Sequence, residues 1–363
     1  MIDNWDHFNP VKIRAGRGTL QCLPEILSGS SWLLITTQGL TCRGLTAKVQ
    51  QLVSNIDFEV CDRITPNPEL NELEAITAIY KHKQFAGILA VGGGSVIDSA
   101  KVLALTIPSK IDKVLTAVLC QGQKSNWLTK LRVVAIPTTS GTGAEVTPFA
   151  TVWDTAHHKK YSLAGDHVYP DIALLDPELT LTLPKKETLY TGLDTVSHAL
   201  ESLWNINRTP VSQAYAIQAL ELAEKALPLV LSDPNNLCAR EHIQQASVLA
   251  GLAISQTRTA IAHSISYPLT SHFNVPHGLA CSFTLPVIIE YYLQHCDDEI
   301  AQALMIRIKH MLTKLDLLRH IKSYLTKEDL LSLKDEMFHP DRVGNYSGVI
   351  NIKILDQLLS AHH

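Results

Sequence analysis

What this 363-residue chain lacks narrows its function before any motif is read. It has no excess of either charge: 31 Lys and Arg against 35 Asp and Glu give a net charge of -4, so there is no basic footprint for nucleic acid. No uncharged apolar stretch reaches the length of a membrane span, and the start, MIDNWDHFNP, has no basic region followed by an apolar one. The expected location is therefore the cytoplasm, with no membrane partner. There is no CxxC pair. The seven cysteines, at 22, 42, 61, 120, 238, 281 and 296, are scattered and odd in number, which argues against a disulfide framework and a structural zinc knuckle. They are read as free structural thiols, and none is assigned as a nucleophile. Internal repeats, low-complexity linkers and the GxGxxG fingerprint are also missing. What remains, 46% hydrophobic and 18% charged, is an ordinary globular composition over a length of about two domains, suited to small-molecule chemistry.

The first half alternates apolar runs of strand length with amphipathic helical segments, the pattern of a mainly parallel sheet covered by helices. Strands are expected at 31–37, 58–61, 85–91 and 132–137, helices at 45–53 and 70–84, a hairpin over FATVWD and KKYSLAG, and a last strand in DIALLDPEL. The strand FAGILAV runs straight into Gly92, Gly93, Gly94 and Ser95 and then into a helical segment. In that arrangement backbone N–H groups and a helix N-terminus can meet a pyrophosphate, and glycine lets the anion approach the backbone. A second strand, RVVAIP, leads into TTSGTG at 138–143. Two such loops at the ends of two strands of one sheet suggest a dinucleotide at its carboxyl edge.

From Lys185 the texture changes to long helical patterns, and Pro184 punctuates the change. The expected division is an α/β domain over 1–185 and an all-helical domain over 186–363. Within the second lie GLDTVSHALESLW and TRTAIAHSISYPLTSHFNVPHG, with Asp194, His198, His263 and His277. Asp194 and His198 are four apart on a helix and leave the same face. His263 follows the helical run QQASVLAGLAISQTRTAI, and His277 follows Pro276 where the next helix begins. One carboxylate with three imidazoles suits Fe(II) or Zn(II) and argues against Ca(II) or Mg(II). Among 16 His, such a pair also arises by chance, so the glycine loops upstream carry much of the weight.

In order along nearly the whole chain, GGGSVIDSAK at 92–101, PTTSGTGAEVTPFATV at 137–152, the KK pair at 159–160, PDIALLDPEL at 170–179, GLDTVSHALE at 192–201 and HSISYPLTSHFNVPHG at 263–278 resemble the iron-containing (group III) alcohol dehydrogenase family. That family shares its fold with glycerol dehydrogenase and 3-dehydroquinate synthase. The resemblance implies an α/β nucleotide-binding domain followed by an all-α domain. It also implies one divalent ion, Fe(II) ahead of Zn(II), held by Asp194, His198, His263 and His277. NAD or NADP would lie against Gly92, Gly93, Gly94, Ser95, Asp98, Thr138, Thr139, Thr142, Lys160 and Leu179. The implied reaction is hydride transfer between NAD(P)H and an aldehyde or alcohol, in a homo-oligomer such as a dimer.

Two departures bear on substrate and cofactor. Members of the family that prefer NAD commonly carry Asp after the first strand; here Thr37 stands there, with Arg43 six residues on, which favours NADP(H) unless Arg43 is a solvated helix residue. Many members place His four residues after the third ligand; here Tyr267 stands there, able to donate a hydrogen bond to a substrate oxygen but not to act as a neutral-pH base. Arg258, five residues before His263 and read as part of the same helix, suits a phosphonate, phosphate or carboxylate. TRTAIAHSISYPLT resembles the branch of the family that reduces phosphonoacetaldehyde to 2-hydroxyethylphosphonate. The alternatives are a dehydrogenase of a neutral or carboxylated small aldehyde, a dehydroquinate synthase-like lyase and a catalytically silent nucleotide- or metal-binding protein.

Overall fold

The computed structural model describes residues 4–348 apart from 126, 128, 158, 295, 297, 298 and 339. The last part of the expected helical domain, 349–363, lies outside the described residues. The chain forms two compact units. One comprises residues 10–139 and 144–182; the other comprises 4–9, 140–143 and the described residues from Leu183 onward. Ser140–Gly143 thus packs with the helical unit although it follows the α/β strand at 132–137.

The first unit contains β1 (Lys12–Ala15), α1 (Leu23–Ile26), β2 (Ser31–Ile35), α2 (Gln38–Cys42), α3 (Leu45–Leu52), β3 (Asp57–Cys61), α4 (Leu70–Tyr80), β4 (Gly87–Gly92), α5 (Gly94–Thr106), β5 (Arg132–Pro137), β6 (Phe149–Asp154), β7 (Lys159–Ala164) and β8 (Ile172–Leu175). Six strands make a parallel sheet in the order β1-β8-β5-β4-β2-β3, and β6 and β7 form an antiparallel hairpin. A strand turns successive side chains to opposite faces, so each buried strand feeds two cores. Leu33, Ile35, Ile88, Ala90, Val133 and Ala135 pack with α4 and α5 on one face. Trp32, Leu34, Leu89, Val91, Val134 and Ile136 pack with α1 and α3 on the other. Truncating one of these Leu or Ile residues to Ala would cost about 2–5 kcal/mol.

The strand order also locates a binding edge. The chain places β3 on one side of β2 and β4 on the other, then continues outward through β5. The carboxyl ends of β2 and β4 therefore flank the switch point at which such sheets bind ligands. Thr36 and Thr37 follow β2 there, and Gly92 closes β4. A Cβ on Gly92 would lie 2.5 Å from the Val96 side chain, so the direct passage from β4 into α5 needs glycine.

The second unit contains α6 (Lys185–Leu203), α7 (Pro210–Ser232), α8 (Leu237–Thr257), α9 (Ile261–Phe273), α10 (His277–Ser282), α11 (Leu285–Leu293), α12 (Glu299–Lys314), α13 (Leu317–Ile321), α14 (Lys327–Ser332) and α15 (Pro340–Val343). Helices α7 and α8 meet through buried alanines, Ala216, Ala219, Ala223 and Ala226 on one and Ala239, Ala246, Ala250 and Ala253 on the other, in one core with Trp204 and Phe283. Small side chains let the axes approach closely. Among the described residues no helix is long and apolar enough to cross a membrane.

Several boundaries differ from the sequence reading. β2 stops at Ile35 because Thr37 turns to cap α2, and α4 ends at Tyr80. The run taken as one helix through Ile261 is broken: α8 ends at Thr257, Arg258 adopts φ 64, and α9 starts at Ile261. Arg258 and His263 are therefore not on one helix. The segment CSFTLPVIIEYYLQH is likewise split between α10 and α11. Pro286, in the first turn of α11, sits where a helix has no use for its N–H.

Candidate metal centre and nucleotide loops

Four sequence-predicted donors converge in the helical unit. Asp194 and His198, on α6, are 3% and 4% exposed, and His263, on α9, is 2% exposed. His277 opens α10. Asp194 Oδ1 lies 3.6 Å from His198 Nε2, 3.7 Å from His263 Nε2 and 3.9 Å from His277 Nε2. The His198 and His263 Nε2 atoms are 3.1 Å apart, and their rings stack at 4.8 Å. Nitrogens bound at about 2.0–2.1 Å around a tetrahedral ion lie roughly 3.4 Å apart, within the span these donors show.

The outer atoms fix which way the lone pairs point. His198 Nδ1 lies 3.3 Å from the Gly141 carbonyl, to which only a protonated Nδ1 can donate. His263 Nδ1 lies 2.6 Å from Glu201 Oε2. With both Nδ1 atoms donating, each ring in its neutral form would present a bare Nε2 lone pair to the other. Asp194 Oδ1 is buried and has no hydrogen-bond partner. Two such lone pairs beside an orphaned carboxylate oxygen repel unless a proton or a cation sits among them. The donor set therefore fits one divalent ion of the Zn(II) or Fe(II) type.

Protonation equilibria differ between the imidazoles: burial works against the charge on His263, but Cys281, Glu201 and Asp194 prevail and raise it well above its ordinary value. Burial works against the charge on Asp194, but the attraction of His198, His263 and His277 prevails and holds its carboxyl well below the usual range. Burial dominates at His198 and keeps its imidazole neutral more readily than in water.

Glu201 was not singled out from sequence. Fully buried, it accepts from Ala260 N at 2.9 Å, Ala262 N at 2.6 Å and His263 N at 3.3 Å while holding His263 Nδ1. These donors pull its carboxyl down despite the opposing effect of burial. It caps the start of α9 and orients a candidate ligand at once. Its signal in the sequence is the register on α6, seven residues after Asp194 and three after His198. Cys281, one turn after His277 on α10, was also missed; its Sγ lies 3.6 Å from His277 Nε2. Gly278 permits this packing of α10 against α6, since a Cβ there would stand 1.9 Å from the Tyr190 carbonyl oxygen.

Tyr267 is half-buried on α9, one turn beyond His263. Arg258 is exposed, and its carbonyl accepts from Asn205 Nδ2 at 3.2 Å and Thr257 Oγ1 at 3.0 Å. The expected helical register between Arg258 and His263 is replaced by the turn that Glu201 caps.

In the α/β unit, Gly92, Gly93, Gly94 and Ser95 form the passage from β4 into α5, and Thr138 N donates to the Gly92 carbonyl at 3.0 Å. Thr139 lies against Gly93, and Thr37 Oγ1 accepts from Leu40 N at 3.4 Å. Asp98 Oδ2 accepts from Thr151 N at 2.9 Å, and its Oδ1 is 3.6 Å from the buried Lys101 ammonium. Asp98 thus ties α5 to β6. Lys160 holds its ammonium 5.5 Å from the Trp153 ring centre, and Leu179 packs against the core that includes Ile172 and Leu174 of β8. Thr142 lies in the helical unit rather than with these residues.

The family model described as iron-containing alcohol dehydrogenase matches residues 10–177, and the one described as Fe-containing alcohol dehydrogenase family, C-terminal, matches 188–328. Phosphonoacetaldehyde reductase of Streptomyces viridochromogenes is 41% identical over 207 residues, 56% of this chain and 52% of that protein, so the match spans about half of that relative. Sulfoacetaldehyde reductase of Bilophila wadsworthia is 28% identical, with 93% of this chain and 94% of that protein covered. Among solved structures, sulfoacetaldehyde reductase from Bifidobacterium kashiwanohense in complex with NAD+ has a TM-score of 0.89 at 29% identity, covering 99% of this chain and 98% of that one.

Proposed function

Since the chain belongs to the iron-containing alcohol dehydrogenase family, we propose that it is a metal-dependent NAD(P)H oxidoreductase that reduces phosphonoacetaldehyde to 2-hydroxyethylphosphonate. The observation that carries this reading is the orphaned Asp194 Oδ1 facing the three imidazole Nε2 atoms at 3.6–3.9 Å. Asp194, His198, His263 and His277 are the proposed ligands. One divalent ion among them would supply Lewis-acid polarisation of a substrate oxygen.

The chain's own residues do the rest. Gly141 and Glu201 hold the two buried imidazoles in the tautomer that leaves Nε2 free. The backbone at Gly92–Ser95 and the threonines at 138 and 139 cradle the NAD(P) pyrophosphate. NAD(P)H held there would supply the hydride for the aldehyde carbon, with the alcohol's proton drawn from solvent. Tyr267 donates a hydrogen bond to the substrate, and Arg258 receives its anionic end.

Both the reading from TRTAIAHSISYPLT and the 41% identical relative support a phosphonate. A second reading, sulfoacetaldehyde, is supported by the two sulfoacetaldehyde reductases matched over nearly the whole chain. Both substrates are two-carbon aldehydes ending in a tetrahedral oxyanion. The deciding assay follows NADH and NADPH oxidation by the Fe(II)- and Zn(II)-loaded protein with phosphonoacetaldehyde, sulfoacetaldehyde and propanal. The expected order of kcat/KM is phosphonate, sulfonate, neutral aldehyde. No oxidation with any pair would sink the reductase reading, and propanal in first place would sink the anionic substrate. In the same assay Arg258→Ala is expected to raise KM for phosphonoacetaldehyde about ten- to a hundredfold while leaving propanal unchanged. An equal rise for both removes Arg258 from substrate recognition.

A further inference from the structure

The carboxyl edge of the parallel sheet sets three chain segments side by side. Strands β4, β2 and β3 are neighbours in that order, about 4.8 Å apart. β4 runs into the Gly92–Ser95 passage, β2 into Thr37 and β3 into Arg63. Thr37 and Arg63 lie two residues beyond the paired Ile35 and Cys61 and form a bridge of their own. We propose that Arg63 recognises the 2′-phosphate of NADP(H) and sets a preference for NADPH over NADH, an inference that rests on the dinucleotide reading of this edge.

The edge fits a dinucleotide in two respects. Gly93 precedes the 13-residue α5 without a side-chain cap, which leaves first-turn N–H groups for an anion. A Cβ on Gly93 would stand 3.3 Å from the Thr139 side chain, so the passage between them is lined closely by bare backbone. With the pyrophosphate at this helix start, the ribose 2′ position is met at the end of an adjacent strand, by a carboxylate for a hydroxyl or by an arginine for a phosphate. Here that strand end is Thr37, which is uncharged and whose hydroxyl accepts from Leu40 N. Arg63 stands next to it, on the side away from the glycines. It is exposed and, among the described residues, makes no ion pair. Two carboxylates that follow it are otherwise engaged: Glu69 accepts from Asn71 N and Glu72 N, and Glu72 from Thr65 Oγ1. A guanidinium offers a phosphate two parallel donors, a match that neither Thr37 nor a lysine provides. Arg43, the other cation near Thr37, stands at the C-cap of α2 and lays its guanidinium along that helix, where a Cβ on Gly39 would be 3.4 Å from Nη1. Arg63 is the one placed in line with the strand ends.

The test measures binding to the full-length protein by calorimetry, with no turnover involved. The ligands are NADPH, NADH, adenosine 2′,5′-bisphosphate and 5′-AMP, the last two differing only in the 2′-phosphate. The wild type is expected to bind NADPH about tenfold or more tighter than NADH, and the bisphosphate tighter than 5′-AMP by a similar factor. Arg63→Ala should lose that factor for NADPH and for the bisphosphate while its affinities for NADH and 5′-AMP stay unchanged, which also shows that the variant is folded. Arg63→Lys, keeping the charge without the fork, should retain part of the preference. Equal binding of NADPH and NADH by the wild type, or tighter binding of NADH, would overturn the proposal and leave the dinucleotide reading standing. A preference that survives in Arg63→Ala and disappears in Arg43→Ala would overturn it in favour of Arg43. Binding of neither dinucleotide by the wild type would remove the proposal and the dinucleotide reading together.

Discussion

Thr37 combines a structural and a proposed functional role in one short side chain. Its hydroxyl caps α2 by accepting from Leu40 N, and its place after β2 puts it beside the switch point of the sheet. Aspartate caps a helix as well as threonine does, so Thr37→Asp is expected to fold normally. Its carboxylate would bind ribose hydroxyls and repel a 2′-phosphate, shifting the NADPH to NADH ratio of kcat/KM toward NADH by about tenfold or more. An unchanged ratio would mean that Thr37 does not face the ribose. Glu145 makes a different argument. Burial raises its carboxyl from 4.5 to about 7, partly opposed by Lys101. The folded protein thus binds a proton that the unfolded chain releases. The protonated acid contributes stability in full below pH 4.5, and that stability is lost as pH rises toward 7. At most about 3 kcal/mol is involved. The melting temperature of the wild type should therefore fall more steeply between pH 5 and 8 than that of Glu145→Gln; parallel curves would exclude the linkage. At this scale the sequence revealed Asp194 and His198 because their four-residue spacing is a local helical property. Glu201 escaped notice because its partner His263 is 62 residues away, and on α6 alone it reads as one more helix carboxylate.

The elements were legible where the pattern is local and obscure where a distant group sets a boundary. Continuous apolar runs at β2, β4 and β5, alternating with helical segments, marked the parallel sheet, since both faces of each strand are buried. The break between α8 and α9 was invisible. Its N–H groups at Ala260, Ala262 and His263 are satisfied by Glu201 on α6 rather than by any nearby cap. Gly278 shows a boundary of another kind, where absence of a side chain sets the distance between two helices. A methyl there would meet the Tyr190 carbonyl oxygen at 1.9 Å and Asp194 Cβ at 3.2 Å, so α10 would have to move off α6 and carry His277 with it. Gly278→Ala is accordingly expected to lose about 1–3 kcal/mol or more in urea unfolding and to purify with less metal. Unchanged stability together with full metal content would show that the helices can relax at no cost, and that His277 does not need this register.

For the whole molecule, the proposed ligands divide between the two compact units, because Asp194, His198, His263 and His277 all fall in the helical unit and Gly92–Ser95 with Thr138 and Thr139 in the α/β unit. The division follows from the two textures of the sequence, apolar strand-length runs interleaved with helices before 185 and long helical patterns after it. Composition could not foretell that Ser140–Gly143 would pack with the helices, where the Gly141 carbonyl faces His198. A ligand that binds only folded protein stabilises what it touches, by about 2.7 kcal/mol at a hundred times its Kd. Hydrogen exchange should therefore resolve the two sites separately. Loading the chelated protein with Zn(II) is expected to slow exchange in α6, α9 and α10, and NADPH to slow it around the β4–α5 passage and after β5. Zn(II)-induced protection centred on β4 and α5, with none in α6 or α9, would place the ion elsewhere and overturn the metal centre at its root.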